Sequence, residues 1–137
     1  MAHVFEKLSY DVIGACIAVQ RQLGKGCMEV DYQRAVELEL RKRGISYLRE
    51  AEIPICYDGI EVTRRRVDFV IWDDTATLLL ETKAAAVIKP EDEAQCRLYM
   101  RNGGFVTCLL VNFGEFPVKT VRLKHTSDRE PLYGPQR

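Results

Sequence analysis

The chain holds only two histidines, His3 and His125, near opposite ends of the sequence, which argues against a histidine-built metal site or a catalytic triad. It lacks any C-x-x-C pair. Cys16, Cys27, Cys56, Cys96 and Cys108 are scattered and odd in number, so neither a disulfide framework nor a four-cysteine zinc or iron–sulfur site is indicated. They read as small buried hydrophobes. Net charge is also missing: twenty basic residues balance twenty acidic ones. A protein that coats nucleic acid through bulk positive charge is thereby excluded. No run approaches the roughly 20 apolar residues of a membrane-spanning helix. The N-terminus, Met1 to Lys7, turns amphipathic without the apolar core of a signal peptide, so a cytoplasmic location is expected. No repeat, low-complexity run or linker divides the chain.

What is present fits one globular domain. The 137 residues are 47% hydrophobic and 29% charged, enough to bury a core. Apolar residues at helical spacing predict a well-buried helix from about Phe5 to Leu23, stopped by Gly24-Lys25-Gly26. A second helix follows from about Met28 to Arg43, with Gly44 at the left-handed cap position. Extended segments follow from Ile45 to Tyr57, with Pro54 marking an edge strand or bulge, and from Ile60 to Trp72 after the Asp58-Gly59 turn. A strand from Thr77 to Ala84, a helix from about Glu91 to Arg101, and strands Phe105–Phe113 and Val118–Lys124 complete the pattern. The expected fold is a mixed α/β domain over residues 1–126, with a partly antiparallel sheet and a poorly ordered tail over 127–137.

The informative segment is the hairpin Val67 to Lys83. If Asp74 and Thr75 are the central turn residues, Asp73 faces Ala76, and Asp68 stands directly opposite Glu81. Lys83, two residues on, shares their face. Val67, Phe69 and Ile71 would then meet Leu78, Leu80 and Thr82 on the other, core face. Two carboxylates so placed have Cβ atoms roughly 5 Å apart and repel. A hard Mg2+ or Mn2+ would relieve that repulsion, and a neighbouring lysine would stabilise charge on phosphate. The bland reading of the same residues is a solvated face with Asp68 paired to an arginine.

Asp68…Glu81-Thr82-Lys83 resembles the PD-(D/E)XK nuclease signature. Gln95-Cys96-Arg97-Leu98-Tyr99 resembles the Q-x-x-x-Y element of its RecB-like members, with Gln95 and Tyr99 on one helical face. Gly26-Cys27-Met28-Glu29-Val30-Asp31-Tyr32 is similar to the element that names the GxxExxY proteins of that superfamily. The resemblance spans roughly Asp11 to Leu123. It implies a restriction-endonuclease-like fold and a nuclease using Mg2+ or Mn2+, with Asp68, Glu81 and the Thr82 carbonyl as metal ligands and Lys83 assisting the nucleophilic water. It further implies that Glu29 is a ligand or orients a water, and that Gln95 contacts the substrate phosphate or the lysine. Glu29 also suits a helix N-terminus simply by its charge. Tyr32 and Tyr99 are candidate nucleic-acid contacts or core aromatics. Two departures stand out: Thr82 replaces a common leucine, and Asp92 occupies a position where a histidine often stands.

Phosphate binding would fall to local basic patches, chiefly Arg64, Arg65 and Arg66, and Lys119, Arg122 and Lys124; Arg41 to Arg43 form a third. Each also reads as a solvated face. The expected function is metal-dependent hydrolysis of nucleic acid, DNA before RNA, by a possible homo-oligomer. The alternatives are a catalytically weak nucleic-acid-binding module of the same fold and a structural protein whose acidic cluster is an ion network.

Overall fold

The computed structural model describes residues 6–135. The expected helix start at Phe5, the N-terminal residues before it with His3, and the last two residues of the expected tail lie outside the described residues.

Helices α1 (Lys7–Leu23) and α2 (Glu29–Lys42) precede strands β1 (Ser46–Tyr57), β2 (Ile60–Trp72) and β3 (Thr77–Lys83), helix α3 (Pro90–Gly103), and strands β4 (Thr107–Asn112) and β5 (Lys119–Lys124). The five strands lie in chain order across one sheet. Only β3 and β4 run parallel; the other neighbours are antiparallel. A parallel pair needs a crossover, and α3 supplies it. This is the mixed α/β architecture the sequence predicts, with element bounds within a few residues of those expected.

The sheet separates two cores. On one face Leu8, Val12, Cys16, Val36 and Leu40 of α1 and α2 pack on Phe69, Ile71, Leu78, Leu80, Leu109 and Val111. On the other, Cys96, Tyr99 and Met100 of α3 pack on Val70, Leu79, Cys108 and Leu110. Local signals set the boundaries. Asp31 and Asp92, each at the third helical position, accept the backbone N–H of Met28 and Lys89 and so close the starts of α2 and α3. Asp58 and Gly59 both have positive φ, as a type I′ hairpin turn requires.

The expected hairpin register holds: Asp73 donates its N–H to the Ala76 carbonyl, and Phe69 faces Leu80. One face assignment does not. Val67 joins Ala51 and Ile53 in the α3-side core, whereas Phe69 joins the other. Opposite Asp68, Glu50 adopts φ 52°, and both β1 and β2 switch faces at this point. Beyond the kink the two strands continue as an arm that β3 does not accompany, since the β2–β3 ladder covers only Phe69–Trp72 against Thr77–Leu80. Pro54 lies on the edge strand β1, next to the register shift at Ile55–Cys56, in accord with the sequence reading.

Of the tail, expected to be poorly ordered, the described residues 127–135 carry no helix or strand but are tied to the domain. Arg129 donates to the carbonyls of Arg101 and Asn102, Leu132 to that of Gly103, and the Tyr133 hydroxyl to that of Glu52. Carbonyls at the end of α3 lack helical partners, and the tail supplies them.

The exits of β3 and β4 meet closely. Phe113 donates its N–H to the Lys83 carbonyl at 2.7 Å, and the Asn112 amide bonds both N–H and C=O of Ala85. A Cβ on Gly114 would strike the Ala85 backbone. Gly114→Ala is therefore expected to cost about 1–3 kcal/mol of stability, read as a lowered midpoint in denaturant unfolding.

Candidate active site

One step past the β2–β3 ladder, the two strands stop bonding backbone to backbone. The Asp68 N–H donates instead to Glu81 Oε1 at 2.7 Å, and the Thr82 N–H donates to Asp68 Oδ2 at 2.8 Å. The Thr82 hydroxyl donates to the same Oδ2, also at 2.8 Å. Each carboxylate is thus held by the opposite strand. Asp68 Oδ1 and Glu81 Oε2 carry no hydrogen bond among the described residues.

Electrostatics match this crowding. Burial, then the charge of Asp68, pushes the Glu81 carboxyl well above its ordinary range; the Asp68 N–H draws it back only in part. Burial raises Asp68 too, against the two Thr82 bonds and the charges of Lys83 and Arg49. For Lys83, burial alone would lower the ammonium, but Asp92, Glu29 and Glu81 outweigh it and hold it above its ordinary value.

Glu29, at the first residue of α2, belongs to this group. Its carboxyl is raised by burial and by Asp68, and drawn back in part by Lys83 and the Ala84 N–H. Asp92, missed as a site residue, faces Lys83 with Oδ1 3.5 Å from Nζ while Oδ2 caps α3. Tyr99 is only 2% exposed, and burial followed by the charges of Glu81 and Asp68 pushes its phenol up. It sits beside the carboxylates as a core aromatic. Gln95, one turn earlier on α3, is half-buried.

Other expected residues separate. Tyr32 is 2% exposed, stacks on Phe113 with ring centroids 4.6 Å apart, and donates its hydroxyl to the Gly24 carbonyl. This is the core-aromatic arrangement, with a hydroxyl partner, that stood beside the nucleic-acid reading of Tyr32. Arg64 is bound by Glu61 and Glu52, and Arg66 approaches Glu52. Arg65 lies opposite buried Ile53, and its charge reaches the Tyr99 phenol. Lys119 shares a cross-strand row with Asn112 and Lys83, two strand spacings or about 10 Å from the latter. Arg122 and Lys124 face the other side of β5, where Lys124 bonds Thr107 and pairs with Glu6. The three cations of β5 therefore do not form one patch.

Among the described residues, no three His, Cys, Asp or Glu side chains form a ready metal cage. The donor set nevertheless fits a hard cation. Such ions take one or two carboxylates and keep several waters, and two anchored carboxylates each retain an unbonded oxygen here. A cavity of about 490 Å³, between Leu48, Trp72 and residues 130–135, is not lined by these carboxylates.

A family model for the PD-(D/E)XK nuclease superfamily matches residues 6–124. The chain belongs to that superfamily. No curated protein matches it in sequence. Among solved structures, the one titled "Crystal structure of SSO0001" matches with a TM-score of 0.52 and 14% identity, covering 93% of this chain and 72% of that one. At that identity the likeness concerns the fold alone. Among the described residues, no helix is long and apolar enough to cross a membrane.

Within this PD-(D/E)XK chain, Glu81→Gln keeps an oxygen for the Asp68 N–H while removing a buried like charge. Metal-free Glu81→Gln is expected to be more stable than wild type at neutral pH by about 1–2 kcal/mol. Because the folded Glu81 value is raised, its neutral form stabilises the fold fully below the ordinary value of 4.5 and loses that effect as pH rises through the folded value. The gap between variant and wild type should therefore close on acidification, as thermal unfolding at a series of pH values would read; an equal gap at every pH contradicts the assignment.

Proposed function

We propose that this chain is a metal-dependent nuclease that hydrolyses phosphodiester bonds, with DNA favoured over RNA on family analogy, and that it is a GxxExxY-type member with a RecB-like Gln95…Tyr99 element. The observation that carries the reading is the opened hairpin end, where Asp68 and Glu81 are each anchored through one oxygen beside the Lys83 ammonium. In this reading Asp68 and Glu81, with the Thr82 carbonyl, hold Mg2+ or Mn2+. When bound, such an ion polarises phosphate and lowers the pKa of water.

The chain's own residues do the remainder. Lys83, kept charged by Asp92, Glu29 and Glu81, orients the attacking water and stabilises charge developing on phosphate. Glu29 supplies a further acidic group for a ligand or water. Gln95 and Arg65 contact substrate phosphates, and Lys119 extends the positive surface on the same face. A zero-net-charge nuclease of this size gathers enough positive surface through self-association, so a homo-oligomer belongs to the proposal.

Wild-type protein assayed on single- and double-stranded DNA and RNA with Mn2+ or Mg2+ is expected to cleave, and Asp68→Ala and Lys83→Ala are each expected to lose about 10²–10⁴-fold. Cleavage that survives both changes would sink the catalytic assignment. Stoichiometric Mn2+ uptake and nucleic-acid binding without turnover would instead favour a binding module of the same fold. A separate prediction concerns Arg65→Ala, which should reduce the slope of log affinity against log salt by about 1; an unaltered slope removes Arg65 from the phosphate contacts.

A further inference from the structure

Behind Asp68 runs a chain of side chains in which every donor points the same way. The Arg49 guanidinium has donors only, and its Nη2 donates to Gln33 Oε1 at 2.7 Å. That bond fixes which end of the Gln33 amide is oxygen. Gln33 Nε2 consequently turns the other way and donates to Thr82 Oγ1 at 3.0 Å, with Glu29 Oε2 at 3.4 Å beside it. With Thr82 Oγ1 accepting from Gln33, the hydroxyl proton is directed to Asp68 Oδ2 at 2.8 Å. Arg49 is fixed in turn by Glu37 at 3.2 Å and by the Phe69 ring, 5.5 Å from guanidinium carbon to centroid. Gln33 is 8% exposed and Thr82 fully buried, so the chain runs through a region of low dielectric, where aligned hydrogen bonds polarise one another.

We infer that Gln33, oriented by Arg49, is a positioning residue for Asp68: it commits the Thr82 hydroxyl to one carboxylate oxygen and leaves the other for the metal and substrate side. This rests on the reading of Asp68 as a cation ligand. It also gives the threonine at position 82 a task, because a leucine side chain there could neither accept from Gln33 nor add a second donor to Asp68 beside the backbone N–H. Glu29, Gln33 and Glu37 recur at four-residue spacing on α2, so one helical stripe reaches from the site to the anchor of Arg49.

Gln33→Glu separates this role from packing. It preserves shape and offers Arg49 a carboxylate, but it has no N–H for Thr82. Mn2+ titration followed by electron paramagnetic resonance, together with kcat and KM on DNA, is the test, with circular dichroism used to confirm folding. Gln33→Glu and Gln33→Met are each expected to weaken Mn2+ binding by about 10–100-fold and to lower kcat with little change in KM for DNA. Gln33→Met combined with Thr82→Val should be no worse than Thr82→Val alone. Wild-type Mn2+ affinity in Gln33→Glu, or losses in the double variant that simply add, would overturn the positioning role while leaving the nuclease reading intact. Wild-type protein that takes up no Mn2+ would refute the nuclease reading and, with it, this role. If Gln33→Met does not fold, Gln33→Glu, alone and combined with Thr82→Val, decides the matter by the same two readouts.

Discussion

Two carboxylates, Glu81 buried and Asp68 half-buried, face each other across an antiparallel hairpin and repel, and here the backbone bears that repulsion. Asp68 takes the N–H of Thr82, Glu81 takes the N–H of Asp68, and the ordinary ladder ends. Hydrogen bonds to charged groups are the stronger kind, contributing about 1.5–3 kcal/mol each, so two of them offset both the lost ladder bonds and part of the like-charge cost. The consequences spread outward. Freed from β3, strands β1 and β2 switch faces at Glu50 and Asp68 and send an arm toward α3. The same break lets the Thr82 side chain reach Asp68, which couples the site to α2.

Much of this was legible because it depends on period and turn chemistry. Asp73 accepts from Thr75 and Ala76 and closes the turn by itself, so counting outward from it placed Asp68 against Glu81. Gly44 and Gly59, both at positive φ, marked a helix end and a hairpin tip by the same local logic. Val67 defeated the alternation rule because alternation assumes an unbroken ladder, and the carboxylates break it. Tyr32 and Phe113 lie far apart in sequence, and nothing local announces that their rings stack. Asp92 was visible as an acid in the first turn of α3, where the macrodipole already accounts for it. Its second partner, Lys83, is a tertiary fact. Gln33 and Arg49 were silent for the same reason: a glutamine in a helix and an arginine in a strand carry no signal until folding brings Thr82 between them.

A neutral chain can still present positive charge where it counts if its anions are spent elsewhere. Arg41 and Arg43, at and just past the end of α2, are paired with Glu37 and Glu39, and Arg64 with Glu61 and Glu52. Arg65 bonds Thr63 and the Arg64 carbonyl, with no carboxylate among the described residues, and it lies on the face of the arm that continues toward Tyr99. Lys119 likewise makes no ion pair among the described residues and stands in the row of Lys83. Runs of basic sequence therefore overstate the positive surface, and pleat parity decides which members contribute to it.

Asp92 shows how the local charge balance is kept. Its two oxygens have separate duties, one capping α3 through the Lys89 N–H and the other facing the Lys83 ammonium. A histidine at this place could hold at most one positive charge and would compete with Lys83; the aspartate adds an anion to a site already crowded with Asp68, Glu81 and Glu29. That addition is tolerable only because the helix start takes part of its charge and the ammonium the rest. The arrangement raises the lysine while leaving the carboxylate pair uncompensated on the side of its two unbonded oxygens. The negative charge there exceeds what one lysine neutralises, and a small divalent cation is the species whose charge and oxygen preference match the remainder.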